Sequence, residues 1–291
     1  MENREQIKQY IKACEHMIKF FTKLIENSPS GYRAISKDDR LKELTELRYE
    51  IKKPEWPEAE NLTIQHHQKI LKTMGELISI PIRNKNLLDF GSCHTDLAKI
   101  AKNKFEAKTV VVFDCDLCQK HETSLTDPNI ISTDNFRIVE QSAPYDIIVI
   151  NDVLDHTEKP VYWLKRLNQL LVKNTGRIFI RVHPWTSRNG THLSEQINKA
   201  YLHLIFSDDE LATLGVTNKF TRKIIDDVES YKRYFEESSL KMLNHKIYKK
   251  SIDLALLQNK VIIERIKNNT NIQDNLFEKL EIEFIDFELK N

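Results

Sequence analysis

The chain has 291 residues, enough for one α/β domain of roughly 150 to 200 residues with a full core and additional elements. Lys and Arg total 44 against 43 for Asp and Glu, so a net charge of +1 excludes the broad basic field that favours nucleic acid or an anionic membrane. Charge therefore gives no support to a nucleic-acid partner.

The cysteine pattern and the hydropathy predict a reducing, cytoplasmic setting. The four cysteines, Cys14, Cys93, Cys115 and Cys118, show no disulfide framework. The first residues, MENREQIK, do not resemble a signal peptide, and no apolar run approaches the roughly 18 residues of a membrane span. One basic cluster, KMLNHKIYKK at 241–250, is interpreted as a solvated strand edge.

Residues 1–80 are predicted to form a helical extension. Apolar residues alternate at spacings of four and three from Ile7 to Ile25, which is typical of a seam for another helix. This first helix either packs on its own domain or joins two copies in a homodimer. A second helix is predicted near 39–51, a break at Pro54 and Pro57, and a third helix near 62–79.

From residue 86 onward, predicted strands and helices alternate. The strands lie near 86–91, 108–114, 129–132, 145–151 and 176–183, and the helices near 95–103, 117–124 and 158–173. Near-continuous apolar runs at 110–113 and 147–150 are typical of strands covered on both faces. The pattern predicts a mainly parallel sheet in an α/β domain at 81–291.

The last third of the chain interrupts this alternation and then completes it. A helix near 192–206, a capping box formed by Ser207 and Glu210, and a stop at Gly215 predict a helical insertion at about 192–230. The sixth and seventh strands are predicted at 241–250 and 281–289, with a helix at 252–267 between them. Apolar alternation in the last strand changes phase after Phe284, which predicts a β-bulge.

Polar residues and a glycine follow the ends of the first predicted strands. NLLDFGSCH at 86–94 places Asp89 and Gly91 at the end of the first strand, where a residue without Cβ lets the backbone approach a ligand. Asp114 ends the second strand, where a carboxylate can accept hydrogen bonds from both hydroxyls of a ribose. These residues indicate a site for a nucleotide-like cofactor.

The motifs resemble those of class I S-adenosylmethionine (SAM) dependent methyltransferases, in which an acid and three alternating glycines follow the first strand and an acid ends the second. Asp89 and Gly91 match this pattern, whereas Cys93 and roughly Thr95 occupy the later glycine positions. The stretch 151–182, NDVLDHTEKPVYWLKRLNQLLVKNTGRIFIRV, is similar to the fourth to sixth motifs of the family. The resemblance implies SAM as cofactor and a Rossmann-like sheet, mostly parallel with an antiparallel last strand. It also implies that the helices of residues 1–80 form a lid or platform over the cleft.

The resemblance also implies which residues hold the cofactor. All of them follow the ends of the first four strands: Asp89, Gly91, Ser92, Cys93, Asp114, Cys115, Asp134, Asn135 and Asn151. The first four belong to the amino-acid end of SAM, Asp114 to the ribose and Cys115 to the adenosine pocket. Asp134 and Asn135 are expected at the adenine edge, with an ordinary turn as the alternative.

Methyl transfer requires a nucleophile aligned with the activated methyl group and, for a hydroxyl acceptor, a group that takes its proton. The candidates for proton transfer and acceptor contacts are Asp152, His156, His183, Arg188 and His192. The loop RVHPWTSRNGTH at 181–192 follows the fifth strand, where ligands collect, and is predicted to select the acceptor. A structural loop with Trp185 in the core is the alternative. The string HPWTSR is also similar to methyltransferase-like proteins of phages and large viruses.

Cys115, Cys118 and His121 have the spacing of metal ligands. One CxxC without a second pair of ligands does not make a zinc site, so no metal is expected.

Two functions are compatible with the sequence. The first is SAM-dependent methyl transfer to an oxygen or nitrogen of a small molecule, glycan or other polar acceptor. RNA and DNA are less favoured as acceptors. The adenine-methylase signature [DN]PP[YF] is absent, because the fourth strand ends in NDVL. The second is a catalytically degenerate methyltransferase-like protein with a structural or partner-binding role, for example in a viral particle.

Overall fold

The computed structural model describes residues 59–91, 95–114, 128–188, 190, 193, 200–213, 227–250 and 259–291. The chain divides into two compact units, residues 1–49 with 253–263 and residues 50–252 with 264–291. The helices predicted at 7–25, 39–51 and 117–124 lie outside the described residues. The lid role of residues 1–80 therefore stays a prediction. Apart from the helix that begins at Lys260, the description below concerns the second unit.

Strands and helices alternate through most of the described chain. The strands are β1 (Asn86–Phe90), β2 (Thr109–Phe113), β3 (Ile130–Thr133), β4 (Ile147–Asn151), β5 (Arg177–Val182), β6 (Lys241–Lys249) and β7 (Ile282–Lys290). The helices are α1 (Ala59–Leu77), α2 (Asp96–Asn103), α3 (Phe136–Gln141), α4 (Pro160–Gln169), α5 (Leu202–Ile205), α6 (Asp208–Thr213), α7 (Val228–Glu237), α8 (Lys260–Thr270) and α9 (Leu276–Leu280), with a 3-10 turn at Leu154–His156. Among these helices, none has the length and apolar character needed to cross a bilayer.

The described strands form one seven-stranded sheet in the order β3-β2-β1-β4-β5-β7-β6. Strands β1 to β5 run parallel, and β7 is antiparallel to both β5 and β6. The Rossmann-like sheet implied by the resemblance is therefore confirmed. The chain moves outward from β1 through β2 to β3 and then returns to β4 beside β1. Such a reversal leaves a crevice at the carboxyl ends of β1 and β4.

Apolar side chains cover both faces of the sheet, as the continuous apolar runs predict. Successive strand residues point to opposite faces, so Leu87 and Leu88 belong to different layers. One layer packs under α1 and α2 and includes Ile70, Leu71, Met74, Leu97, Ala101, Val110, Val149 and Phe179. The other packs under α4 and α7 and includes Val111, Ile148, Leu164, Leu167, Ile180, Tyr231, Phe235 and Phe287.

The predicted capping box begins α6 as expected. The Ser207 amide donates to Glu210 Oε2 at 2.9 Å, and the Glu210 amide donates to Ser207 Oγ at 3.3 Å. These two bonds satisfy amides that the first helical turn leaves without a partner. The predicted stop at Gly215 lies outside the described residues.

Two predicted helices have different bounds in the structure. The continuous helix predicted at 192–206 is wrong, because Tyr201 has a φ of 60° and the described helix contains only Leu202–Ile205. A residue in the left-handed conformation interrupts a right-handed helix, whatever its side chain. The helix predicted at 252–267 corresponds to α8, which begins after Asn259 and ends at Thr270. The side chain of Asn259 accepts a hydrogen bond from the Ile262 amide at 3.3 Å.

A bulge in the last strand is confirmed, but it lies before Phe284 and not after it as the alternation predicts. Tyr248 pairs with Phe284 and Lys249 pairs with Ile282, so Glu283 is an additional residue on β7. The bulge restores Ile282 to the apolar layer that contains Ile285, Phe287 and Leu289, while Phe284 lies on the opposite face.

A buried ion pair joins β5 to β7. Arg181 and Asp286 are opposite each other in the strand register, and Asp286 is 0% exposed. Arg181 Nε donates to Asp286 Oδ1 at 2.7 Å, and an Arg181 terminal nitrogen donates to Oδ2 at 2.6 Å. Burial raises the pKa of Asp286, and the Arg181 guanidinium opposes this shift. The guanidinium carbon lies 4.1 Å from the centroid of the Phe284 ring.

We predict that Arg181→Ala lowers the free energy of unfolding by about 3 to 5 kcal/mol, because it leaves the Asp286 carboxylate buried without its cation. Replacing both partners, with Arg181→Met and Asp286→Leu, should cost much less, since no unpaired charge remains. Urea unfolding followed by circular dichroism measures both effects.

The exposed pair Lys232–Glu229 provides the control, and Lys232→Ala should change the free energy of unfolding by less than about 1 kcal/mol. Equal instability in the single and double variants at the buried pair would show that charge pairing is not the cause.

Candidate active site

The candidate residues at the ends of β1, β2, β4 and β5 that the structure describes lie at one edge of the sheet. Asp89 precedes the last residue of β1, Asp114 follows β2, Asn151 ends β4 and His183 follows β5. These strands are parallel, so their carboxyl ends meet at this edge. The edge contains the crevice between β1 and β4, which is the position predicted for a cofactor.

Gly91 connects the exits of β1, β2 and β4. Its amide donates to the Phe113 carbonyl at 2.7 Å, and its φ is 83°. A Cβ added here would lie 2.5 Å from Val153 Cγ2, in the loop after β4. Both the left-handed backbone and the close approach of Val153 require a residue without a side chain. Ser92, Cys93 and Cys115, the other predicted residues of these loops, lie outside the described residues.

Two buried carboxylates lie at the carboxyl ends of the neighbouring strands β1 and β2. Asp89 is 2% exposed and Asp114 is 5% exposed. The Asp114 amide donates to the Thr133 carbonyl at 3.3 Å, which fixes the end of β2 against β3. Carboxylates in this position can accept hydrogen bonds from hydroxyl and ammonium groups of a bound cofactor.

Asn151 offers a further contact. Its side-chain amide nitrogen donates to Asp152 Oδ2 at 3.0 Å. Its Oδ1 is buried and has no hydrogen-bond partner among the described residues. A buried carbonyl oxygen of this kind requires a donor, and a bound ligand can provide one. The residues at this edge therefore fit the cofactor that the resemblance implies.

Asp134 and Asn135 follow β3 and are exposed. Asn135 caps α3, since its Oδ1 accepts a hydrogen bond from the Arg137 amide at 3.0 Å. The Asn135 amide donates to Thr133 Oγ1 at 3.0 Å. These bonds account for the turn locally, and the predicted contact of both residues with adenine stays a prediction.

The chain turns sharply after β4. Asp152 has a φ of 54°, and its amide donates to the Arg181 carbonyl at 3.0 Å. The following 3-10 turn places Asp155 inside the protein, where its Oδ2 accepts a hydrogen bond from the His183 amide at 3.1 Å. His156 ends this turn, but its side chain lies outside the described part of the chain.

His183 is held by groups from two other segments. Its Nδ1 lies 2.7 Å from the carbonyl oxygen of Glu283, and its Nε2 lies 3.4 Å from Asp152 Oδ1. A carbonyl can only accept, so Nδ1 carries a proton. In the neutral ring, Nε2 then has the lone pair that takes up a proton. Asp152 lies where it stabilises the imidazolium that results.

Asp155 is a further candidate residue, which the sequence did not single out. Burial raises the pKa of Asp155 to about 7, and the neighbouring Asp152 carboxylate raises it further, whereas the His183 ring and amide oppose the shift. A carboxyl group that titrates near neutral pH beside a histidine is typical of sites that move protons. The acidic residue in the NDVLDH turn was the available sequence signal.

The described part of the loop after β5 is fixed by polar contacts. Trp185 is 8% exposed, its ring packs edge-on against His203, and its carbonyl accepts a hydrogen bond from His203 Nε2 at 2.6 Å. Trp185 thus lies in the core, as the structural alternative predicts. The Tyr201 amide donates to the Arg188 carbonyl at 3.0 Å. His192 lies outside the described residues.

Arg188 is half-buried at the end of this loop. Its Nε is buried and has no hydrogen-bond partner within the ranges that the structure describes. Burial raises the pKa of Tyr201 to about 12, and the positive charge of Arg188 opposes the shift. The guanidinium therefore lies near enough to the Tyr201 phenol to act on it, and this phenol donates to the Leu280 carbonyl at 2.7 Å.

Within the described ranges, no group of three or more His, Cys, Asp or Glu side chains is arranged to hold a metal ion. Cys115, Cys118 and His121 lie outside these ranges, so the expected absence of metal at this motif stays a prediction.

Comparisons with known proteins relate the chain to methyl-transferring enzymes. The sequence profile of the methyltransferase domain family matches residues 63–243, more than half of the chain. No curated protein matches the chain in sequence.

Solved structures with a similar fold include a SAM-dependent methyltransferase from Mesorhizobium loti. It is 11% identical to this chain with a TM-score of 0.47, and the alignment covers 77% of this chain and 96% of that one. A cyclopropane synthase from Mycobacterium tuberculosis is 15% identical with a TM-score of 0.49, covering 77% and 83% of the two chains.

We predict that Gly91→Ala weakens cofactor binding and lowers stability, because the new Cβ would overlap Val153 and hold a strained backbone. Calorimetric titration with SAM and thermal unfolding measure the two effects.

Gly75 provides the matched control, since it lies in α1 and has no atom within 4 Å of an added Cβ. Gly75→Ala should leave binding unchanged and stabilise the helix by roughly 0.5 to 1 kcal/mol. A Gly91→Ala protein with normal SAM affinity and stability would rule out the requirement for glycine.

Proposed function

Because the chain belongs to the methyltransferase domain family and uses SAM as its cofactor, we propose that it methylates an oxygen or nitrogen of a small-molecule, sugar or other polar acceptor. The observation that supports this acceptor chemistry is the arrangement of His183. Its Nδ1 is fixed by the Glu283 carbonyl, and its Nε2 lies beside Asp152 at the carboxyl edge of the sheet. A base in this position serves an acceptor that must lose a proton.

The protein binds and orients the reactants. SAM supplies a methyl group already activated on a sulfonium. Asp114 accepts hydrogen bonds from the ribose hydroxyls, while Asp89 and the backbone at Gly91 hold the amino-acid end. Asn151 Oδ1 accepts a hydrogen bond from a donor on the cofactor, which satisfies its buried carbonyl.

The reaction requires one proton transfer. The lone pair of the acceptor oxygen or nitrogen forms the new bond to the methyl carbon, and the electron pair of the broken carbon–sulfur bond stays on sulfur. The proton released by the acceptor passes to Nε2 of His183. Asp152 then stabilises the positive charge of the imidazolium ring.

Arg188 is proposed to select the acceptor. It follows β5, whereas the cofactor residues follow β1 to β4, and its half-buried guanidinium has donor capacity beyond the contacts described here. Guanidinium groups bind carboxylate and phosphate in a two-point geometry, so an acceptor with an anionic group fits this position. The near-neutral chain charge favours a small molecule over a nucleic acid.

We predict that the purified protein binds SAM or its demethylated product with micromolar affinity, and that Asp114→Ala weakens binding by roughly 1 to 3 kcal/mol. The loss reflects a charge-assisted hydrogen bond to the ribose. Calorimetric titration gives both affinities.

Asp209→Ala, in the exposed first turn of α6, is the control and should bind like the wild type. Absence of heat and of a thermal shift with millimolar SAM in the wild type would refute the enzymatic function. The degenerate, partner-binding alternative would then apply.

We predict that Arg188→Ala leaves SAM affinity nearly unchanged and abolishes or redirects methyl transfer, with the loss expressed in kcat/KM for the acceptor. An untargeted screen with labelled SAM against lysate fractions of metabolites, glycans, RNA and protein identifies the acceptor first.

Arg83→Ala, at the exposed segment before β1, is the matched control and should retain full activity. If Arg188→Ala loses SAM binding while the acceptor still docks, the assignment of this loop to the acceptor is wrong.

A further inference from the structure

His183 is the first residue beyond the paired part of β5. The last pairs of this strand are Arg181 with Asn151 on β4 and Val182 with Ile285 on β7. The chain turns away after β4, where Asp152 takes a left-handed conformation. The His183 amide therefore needs an acceptor from outside the sheet, and Asp155 Oδ2 provides it at 3.1 Å.

The imidazole ring is fixed from the opposite side by the bulge on β7. Glu283 is the additional residue between the pairs Tyr248–Phe284 and Lys249–Ile282. A bulged residue interrupts the regular pairing of the strand, which makes its carbonyl available to other groups. That carbonyl lies 2.7 Å from Nδ1 of His183.

We propose that Asp155 is a positioning residue for methyl transfer, which together with the bulged Glu283 carbonyl fixes His183 so that Nε2 stays beside Asp152. This inference rests on the proposed role of His183 as the base. Asp155 holds the backbone of His183, and Glu283 holds its ring, so the imidazole is constrained at both ends. Loss of the Asp155 carboxylate removes the hydrogen bond that holds the backbone of His183.

The charge of Asp155 acts on the same ring. Asp152 contacts the ring from the β4 exit, and the Asp152 carboxylate also acts on Asp155 and on Asp286 of β7. Arg181 neutralises Asp286 through the buried ion pair. Asp152 thus contacts the ring of His183, while Asp155 accepts the hydrogen bond of its amide.

Nuclear magnetic resonance of the histidine-labelled full chain, saturated with S-adenosylhomocysteine, tests the proposal without a known acceptor. His183→Gln identifies the His183 signal. The variants are Asp155→Ala, which removes the hydrogen-bond acceptor and the charge, and Asp155→Asn, which keeps an acceptor oxygen and removes the charge. Asp146→Ala and Asp146→Asn are matched controls, since Asp146 precedes β4 and its Oδ2 accepts a hydrogen bond from the Asn86 amide at 2.9 Å.

Two measurements should respond to Asp155 alone. Amide exchange of His183 should accelerate by about tenfold or more in Asp155→Ala and recover much of its protection in Asp155→Asn. The ring nitrogen shifts, which report the tautomer of His183, should show less of the Nδ1-protonated form in Asp155→Ala, because the ring moves away from the Glu283 carbonyl, and should return toward the wild type in Asp155→Asn. Calorimetry should give the same affinity for S-adenosylhomocysteine, within about threefold, in all four variants.

The proposal is overturned if Asp155→Ala leaves the ring tautomer and the amide exchange of His183 as in the wild type, or if the Asp146 variants change them equally. Asp155→Leu, which also removes the acceptor oxygen, keeps the test decisive if Asp155→Ala does not fold. Methyl transfer that persists in His183→Gln would refute the base without affecting the coupling measured between Asp155 and His183, so the two failures can be distinguished.

Discussion

The buried pair Arg181–Asp286 is the constraint on which the arrangement of the site depends. Two charges in the interior of a sheet are stable only when they face each other, so β7 must pair with β5 in the register that places Asp286 opposite Arg181. That register brings Val182 opposite Ile285 and leaves His183 next to the bulged Glu283. A slip of β7 by one residue would move Asp286 to the other face of the sheet, into the apolar layer that contains Phe287, and would leave Arg181 without its partner. The ion pair therefore fixes the position of the Glu283 carbonyl that orients the His183 ring.

The strand order also determines which segments meet at this edge of the sheet. Because β4 lies between β1 and β5, the loop after β4 contacts both the cofactor side and the acceptor side of the site. Val153 from this loop packs where a Cβ on Gly91 would lie, and Asp155 from its 3-10 turn accepts the His183 amide. One short segment thus couples the residues proposed to hold SAM to the residue proposed to accept the proton. The left-handed Asp152 gives this segment the direction that both contacts require.

The sequence predicted the parts of the fold that depend on local pattern. Buried parallel strands are visible as apolar runs, and the capping box of α6 and the bulge in β7 are visible as side-chain spacings. The pattern did not reveal α3, which has six residues, or α9, which has five, because such short helices show too little periodicity. It also missed the break at Tyr201, since a left-handed tyrosine has no signature in the sequence. Four residues of the candidate site could be recognised at strand ends: Asp89, Gly91, Asp114 and His183. The contacts of Asp155 depend on tertiary structure. So does the pairing of Arg181 with Asp286, which are 105 residues apart in the sequence.

The reduced glycine motif is compatible with a functional cofactor loop. Glycine is required where the backbone is left-handed or where a side chain would collide, and Gly91 meets both conditions. Thr95, at the third glycine position of the motif, has a φ of −84°, which any residue adopts, and it immediately precedes α2. The motif has thus kept glycine at the first position, where the exits of β1 and β4 meet, and has lost it at Thr95, where the backbone conformation does not require it. The departure from the family pattern at Thr95 therefore gives no physical reason to expect loss of SAM binding.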